Sequence, residues 1–176
     1  MSVSSERQQT WTNWAGNQRF TAAEIAAPTS EAELIELVRQ AAAARRPMGI
    51  VGSAHSFTPI VETSDLLIRM EGVNGVLSRN PEQLTADVLA GTTIKQMGGE
   101  LWDVGLSVKN QGDIDKQTIA GAIATGTHGS ASSSARCPLR CAACGSSPAR
   151  ATCSTSTTAN PTSCTQRRCR SDCSGW

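Results

Sequence analysis

Residues 50–60 read IVGSAHSFTPI. A short apolar run stops at Gly52, and His55 follows among residues no larger than serine before Phe57. Small side chains on such a loop let a second molecule approach the backbone, where successive N–H groups can converge on an anion. The chain holds only two histidines, and the second stands in a stretch of the same kind, ATGTHGS at 124–130. Two small-residue loops, each carrying a histidine, point to a nucleotide or dinucleotide. A pair of ordinary turns is the plainer alternative. Neither loop has the GxxxxGK[ST] pattern, and no GxGxxG follows the first strand of this unit, which disfavours a P-loop enzyme and a Rossmann dehydrogenase.

For His55 two roles are open. One is a loop histidine capping a backbone carbonyl. The other is a neutral imidazole acting as nucleophile or covalent anchor, with room beside it for a flat ring system. His128 reads as a residue that shapes its loop. Two histidines without a matching acidic pair make a poor metal site.

Outward from the first loop the pattern is mixed. Before it, residues 27–51 read APTSEAELIELVRQAAAARRPMGIV. Ser30 is an N-cap candidate with Glu31 and Glu33 in the first turn. Leu34, Leu37, Val38 and Ala41 form an apolar stripe at helical spacing. Arg45 and Arg46 suit the helix end, and Pro47 stops it. Met48 to Val51 is then a short buried strand. After the loop, Leu66–Met70 is the next strand. Residues 75–80 and 84–91 are two more, joined by a polar Asn80-Pro81-Glu82 turn. Residues 92–104 read as a helix weakened by Gly98 and Gly99, with Gly105 as the residue past its end. The fold class is α+β, without internal repeats.

One domain of ordinary size fits 176 residues. The net charge of +1 gives no case for nucleic acid, but it hides an asymmetry. Residues 1–135 carry 10 Lys+Arg and 14 Asp+Glu, whereas residues 136–176 carry 6 Arg and one Asp. All seven cysteines lie in that second part. The N-terminus has no apolar core of signal-peptide length, and no run approaches the roughly 20 apolar residues of a membrane span. A cysteine-free stretch over 1–135 suits a cytoplasmic protein.

Several separated motifs are familiar in this order and spacing: VGSAHSF, VLAGTTIKQMGGEL, NQGD and TIAGAIATGTHGS, with Asn13-Trp14 upstream and PTS at 28–30. Over roughly residues 11–130 the chain resembles the FAD-binding (PCMH-type) domain of the vanillyl-alcohol-oxidase flavoproteins. The nearest branch is that of the L-gulono-1,4-lactone and D-arabinono-1,4-lactone oxidases or dehydrogenases, with alditol oxidase close by. The resemblance implies a two-lobed α+β domain holding FAD between its lobes. It implies that Gly52, Ser53, Ala54, His55 and Ser56 wrap the pyrophosphate, and that His55 is the candidate for a covalent bond to the flavin 8α-methyl carbon. Asp113, Thr118, Gly121, Thr125, Gly126, Thr127, His128 and Gly129 would line the cofactor from the other side. The implied reaction is oxidation of a CH–OH group, with hydride passing to flavin N5 and electrons to oxygen or another acceptor. The substrate would be a small sugar lactone or polyol. Catalytic side chains are expected in a later cap domain beyond this chain, and the 176-residue product is expected to be inactive. Some family members associate with membranes.

The segment 136–176 does not continue that pattern. Leu139 is its single residue among Ile, Leu, Val and Met, and 13 of its 41 residues are Ser or Thr. No amphipathic period can be drawn through it, so no core can be built from it. The expected organisation is a disordered stretch over 1–10, an incomplete FAD-binding domain over 11–135 and an unstructured tail over 136–176. Cys137, Cys141 and Cys144 have the spacing of some iron–sulfur sites, and Cys141 with Cys144 could be half a zinc site. A shifted reading frame near residues 130–136 is the favoured source. Codons read one base earlier turn Cys and TCN-coded Ser into apolar residues and restore a strand–strand–helix pattern. The rival function is a non-enzymatic nucleotide-binding module whose Cys-rich tail binds metal or a partner.

Overall fold

The first sheet is built on Leu66–Arg69 (β4). Its Leu66, Leu67 and Ile68 are all 0% exposed. A strand buried on both faces must find cover twice. Alternation sends Leu66 and Ile68 to one side, against Leu34 and Ala41 of the helix Glu31–Ala43 (α1). Leu67 goes to the other side, with Ala22 and Val51. Such doubly covered strands pair in parallel, and β4 lies parallel to both Arg19–Ala27 (β2) and Met48–Val51 (β3). The remaining strand, Ser4–Thr12 (β1), runs antiparallel to β2, giving the order β1-β2-β4-β3. The computed structural model describes residues 4–108, 111–129, 141–144 and 150–154.

Helix α1 starts where the sequence predicts. Ser30 accepts the Glu33 N–H at 3.2 Å, and the Glu33 carboxylate takes the Thr29 N–H at 2.8 Å and its hydroxyl at 2.9 Å. These bonds satisfy donors that the first turn leaves unpaired. The helix stops earlier than expected, at Ala43, and Arg45 turns left-handed at φ 53°. Arg46 is thereby outside the helix, within 2.7 Å of Asp65 and 2.9 Å of Glu24. Those two carboxylates, Asp65 first, hold its guanidinium above the ordinary arginine range.

The second sheet contains Val76–Asn80 (β5) and Thr85–Leu89 (β6), as predicted, followed by Ile94–Trp102 (α2). Val88, Met97, Leu101 and Ile119 are central to its core. The doublet Thr92-Thr93 joins sheet to helix. Buried Thr92 donates to the Leu89 carbonyl at 2.7 Å and accepts the Gly75 N–H at 2.8 Å, while Thr93 caps α2 by accepting the Gln96 N–H at 3.1 Å. At Gly91 a Cβ would collide with the backbone carbonyls of Met70 and Val73. Only glycine lets the two halves approach this closely there.

Three features differ from the sequence reading. The N-terminal stretch expected to be disordered over 1–10 forms most of β1, because its backbone completes a ladder with β2; Trp11 and Phe20 face each other across it, ring centroids 5.0 Å apart. A short helix, Ile119–Ala124 (α3), occupies a Gly/Ala-rich run that carried no helix assignment, with Thr118 accepting the Gly121 N–H at its start. The segment after 136, expected to be unstructured, contributes two short strands, Cys141–Cys144 (β7) and Arg150–Ser154 (β8). They extend the second sheet in the order β5-β6-β8-β7. Backbone pairing along the open edge of β6 needs no apolar side chain, which is why hydrophobic periodicity gave no signal. Residues 145–149 and 155–176, and Cys137 with them, lie outside the described residues.

Candidate functional site

The loop after β3 begins at the sheet and bends immediately. A Cβ on Gly52 would overlap the Thr118 hydroxyl and sit 3.0 Å from its methyl carbon. The first histidine loop therefore rests directly on the N-cap of α3, which opens the stretch leading to the second. Farther along, a Cβ on Gly112 would come 2.8 Å from the Thr127 methyl, so the NQGD segment packs on the loop after α3. Thr118 is held in place by a bridge to Thr93 and by Ile119 N–H donating to Thr92 at 2.8 Å. The first loop thus meets Thr118, and Gly112 meets the second loop, each at a glycine that lacks the atom that would keep the segments apart.

The loop itself is unusual in its polar accounting. Among the described residues, the backbone N–H groups of Gly52, Ser53, Ala54, His55 and Ser56 donate to no protein acceptor. Ala54 adopts φ 58°, in the left-handed region. Ser56 instead closes a small turn, its hydroxyl 3.0 Å from that of Thr58. His55 Nδ1 is buried with no hydrogen-bond partner, alone in this among the described side chains. A buried polar atom left unpaired costs about 1–3 kcal/mol, so it marks a place where a ligand atom is missing from the accounting. The carbonyl-capping role left open for His55 falls instead to His128, whose Nδ1 lies 3.0 Å from the Gly129 oxygen.

What faces the first loop is the turn between β1 and β2, which sequence spacing does not connect with it. Asn13 is 5% exposed; its side-chain amide donates to the Ser56 carbonyl at 2.9 Å and to Asn17 at 2.7 Å, and its oxygen accepts the Gln18 N–H at 3.0 Å. Gln18 and Asn17 both donate to the Phe57 carbonyl, at 2.9 and 3.2 Å. Trp14 donates its N–H to Ala54 at 3.1 Å and stacks on His55, ring centroids 4.9 Å apart and 26° from parallel. The Asn13-Trp14 pair was the sequence signal, but only the fold shows which loop it grips.

The other expected residues are distributed as follows. Thr118 is buried, Gly121 lies in α3, and Thr125 to Gly129 form the loop that follows. Thr125 donates to the Gly121 carbonyl at 2.9 Å and lies 3.0 Å from the Thr127 hydroxyl. Asp113 is exposed beside Gly112. No group of three or more His, Cys, Asp or Glu among the described residues could hold a metal ion, and no described helix is long and apolar enough to cross a membrane. The residues present fit a dinucleotide: an unpaired run of N–H groups for phosphate oxygens, glycines at the close approaches and an unpaired imidazole nitrogen at a buried position.

Comparison with known proteins gives the family. The profile of the FAD binding domain family matches residues 22–153. An L-gulono-1,4-lactone dehydrogenase of Mycobacterium tuberculosis (strain CDC 1551 / Oshkosh) is 41% identical over 119 residues, covering 68% of this chain and 28% of that protein. A D-arabinono-1,4-lactone oxidase of Kluyveromyces lactis is 35% identical over 122 residues, covering 67% of this chain and 23% of its own length. The chain thus spans about a quarter of the length of these curated relatives. In three dimensions it is similar to cholesterol oxidase from B. sterolicum, with a TM-score of 0.64 at 24% identity over 73% of this chain and 25% of that one, a likeness of fold.

Proposed function

The chain belongs to the FAD binding domain family, FAD is its cofactor, and from that premise we propose that it is the cofactor-holding part of an FAD-dependent oxidoreductase of the aldonolactone-oxidase type. The observation that supports this reading is the contact of Gly52 with Thr118, which sets the first small-residue loop against the start of the short helix leading to the second. The proposed cofactor contacts are Gly52 to Ser56 on one side, and Asp113, Thr118, Gly121 and Thr125 to Gly129 on the other. Bound FAD would supply a two-electron acceptor: a carbinol carbon gives up a hydride and its hydroxyl a proton, and the electrons leave to oxygen or another acceptor.

The protein's own part is binding and orientation. Among the described residues the N–H groups of 52–56 have no internal acceptor, and they would take phosphate oxygens without displacing one. The glycines at 52 and 112 keep the loops thin enough for an extended ligand. His55 is proposed as the covalent attachment point. Such a link would cost the 8α-methyl carbon and the imidazole one hydrogen each, with the two electrons going to the same acceptor, and His55 would hold the flavin ring in place. The relatives named for lactones suggest a sugar lactone as substrate.

The test is reconstitution. The purified 176-residue chain, incubated with FAD and freed of excess, should show stoichiometric flavin absorbance. A denaturing gel should then show a fluorescent band. Absence of bound flavin from a folded chain would refute the cofactor reading, and flavin bound but lost entirely on denaturation would refute the covalent link alone.

A further inference from the structure

We propose that Trp14 and Asn13 are positioning residues for His55, with the β1–β2 turn acting as a clamp that aims the imidazole and the N–H groups of its loop into the cofactor cleft. Residues 13–18 bind three carbonyls of the facing loop, those of Ala54, Ser56 and Phe57. In a planar trans peptide the carbonyl and the following N–H point in opposite directions. Binding the Ala54 oxygen toward the turn therefore directs the His55 N–H away from it, and binding the Ser56 oxygen does the same for Phe57. The clamp thus accounts for the His55 N–H, which donates to no described acceptor, while the Ala54, Ser56 and Phe57 carbonyls are satisfied. It also supports the left-handed conformation of Ala54, which a non-glycine residue adopts only when its surroundings hold it there.

Trp14 acts on the ring. Its indole covers one face of His55, so the ring nitrogens can point only within a plane nearly parallel to the indole, and Nδ1 takes the buried direction. Trp14 is 61% exposed. An aromatic side chain with a core-packing task would be buried; this one makes its ring contacts with His55 and, edge-on at 6.3 Å, with Phe57.

The inference rests on the cofactor reading above, and the experiment separates the two. Because the chain has two histidines, imidazole proton–carbon NMR on the full chain gives two sets of ring signals, assigned with His128→Gln. In the wild type the His55 ring protons should lie upfield of those of His128, shielded by the indole. Trp14→Leu, which keeps bulk but removes the aromatic face, should abolish that difference while circular dichroism is unchanged; Trp14→Phe should retain most of it. FAD titration should show Trp14→Leu and Asn13→Ala binding about three- to tenfold more weakly, the range a lost aromatic pair or hydrogen bond predicts, with Trp14→Phe within about twofold of wild type. Unshifted His55 signals in Trp14→Leu, or wild-type FAD affinity in both weakened variants, would overturn the positioning role. A wild-type chain that binds no FAD would overturn the cofactor reading instead, and the ring shift together with amide exchange over 52–57 in Asn13→Ala would then decide the clamp by itself.

Discussion

The loop at 52–57 is gripped by a segment 40 residues away in sequence, through Asn13, Asn17, Gln18 and Trp14, whereas the described bonds of the loop at 125–129 are local. Both carry a histidine between small residues. In the first, the imidazole nitrogen is buried and unpaired; in the second, it is exposed and donates to the next carbonyl. The contrast separates two uses of the same composition. The second loop holds its imidazole with a bond of its own. A loop braced from behind, with its donors left over in front, is prepared for something else.

The sharpest way to break this comparison is to remove each histidine in turn. His55→Ala should abolish denaturation-resistant flavin completely, and His128→Ala should leave it unchanged, read as fluorescence on a denaturing gel. The reverse result would exchange the roles of the loops. Next in size is Gly52→Val. Its side chain would overlap Thr118 and cost about 3 kcal/mol by overpacking, seen as a lower urea midpoint and FAD binding weakened more than tenfold. Thr118→Ala in the same chain should restore part of the loss, since it removes the colliding hydroxyl and methyl. Gly126→Val, where open space surrounds the missing Cβ, should cost only the left-handed backbone penalty of about 1–2 kcal/mol.

A third test compares the braces. Asn13→Ala leaves the Ser56 oxygen and the Gln18 N–H without their partner at a buried position, a loss of about 1.5 kcal/mol in urea unfolding. Thr125→Ala, removing only exposed hydroxyl contacts, should stay within about 0.5 kcal/mol. Glu33→Gln serves as a control away from both loops and should have the smallest effect. The Thr29 N–H, and then its hydroxyl, hold the Glu33 carboxyl below its ordinary value of 4.5. Its contribution is therefore fully present above that ordinary value and fades as pH falls through the lower folded one. The difference in melting temperature between wild type and Glu33→Gln should be constant near neutrality and vanish in acid.

Much of the first sheet was legible. Ser30, the stripe from Leu34 to Ala41 and Pro47 announced α1 and the short buried strand β3, and the apolar run Leu66–Met70 announced a strand. Strand β1 was not legible, because SSERQQTWT has neither alternation nor an apolar run, and its pairing with β2 is mostly a backbone ladder with the Trp11–Phe20 pair at one end. Helix α3 was hidden for a related reason: Ile119–Ala124 is short and glycine-bearing, and its start depends on the Thr118 hydroxyl and on the bridge to Thr93. Of the site, the two glycine-rich loops could be read in one dimension. The contact of the first loop with the start of α3 could not, since Gly52 and Thr118 are joined only through the fold. The clamp was half visible as the Asn13-Trp14 doublet, with nothing in the spacing to say that its target lay at Ser56.

Strands β3 and β4 lie side by side and run the same way, yet no helix joins them; residues 52–65 must carry the chain back the full length of the pair. A crossover of this kind needs about a dozen residues, since a shorter link would force the second strand to reverse. The first five of those residues are the braced histidine loop. The return path therefore tolerates lengthening near Pro59 far better than trimming, and a deletion there would invert a buried strand before it disturbed any contact of His55. Variation in chain length among natural homologues should accordingly appear downstream of Phe57 as insertions, with the spacing from Gly52 to Phe57 fixed.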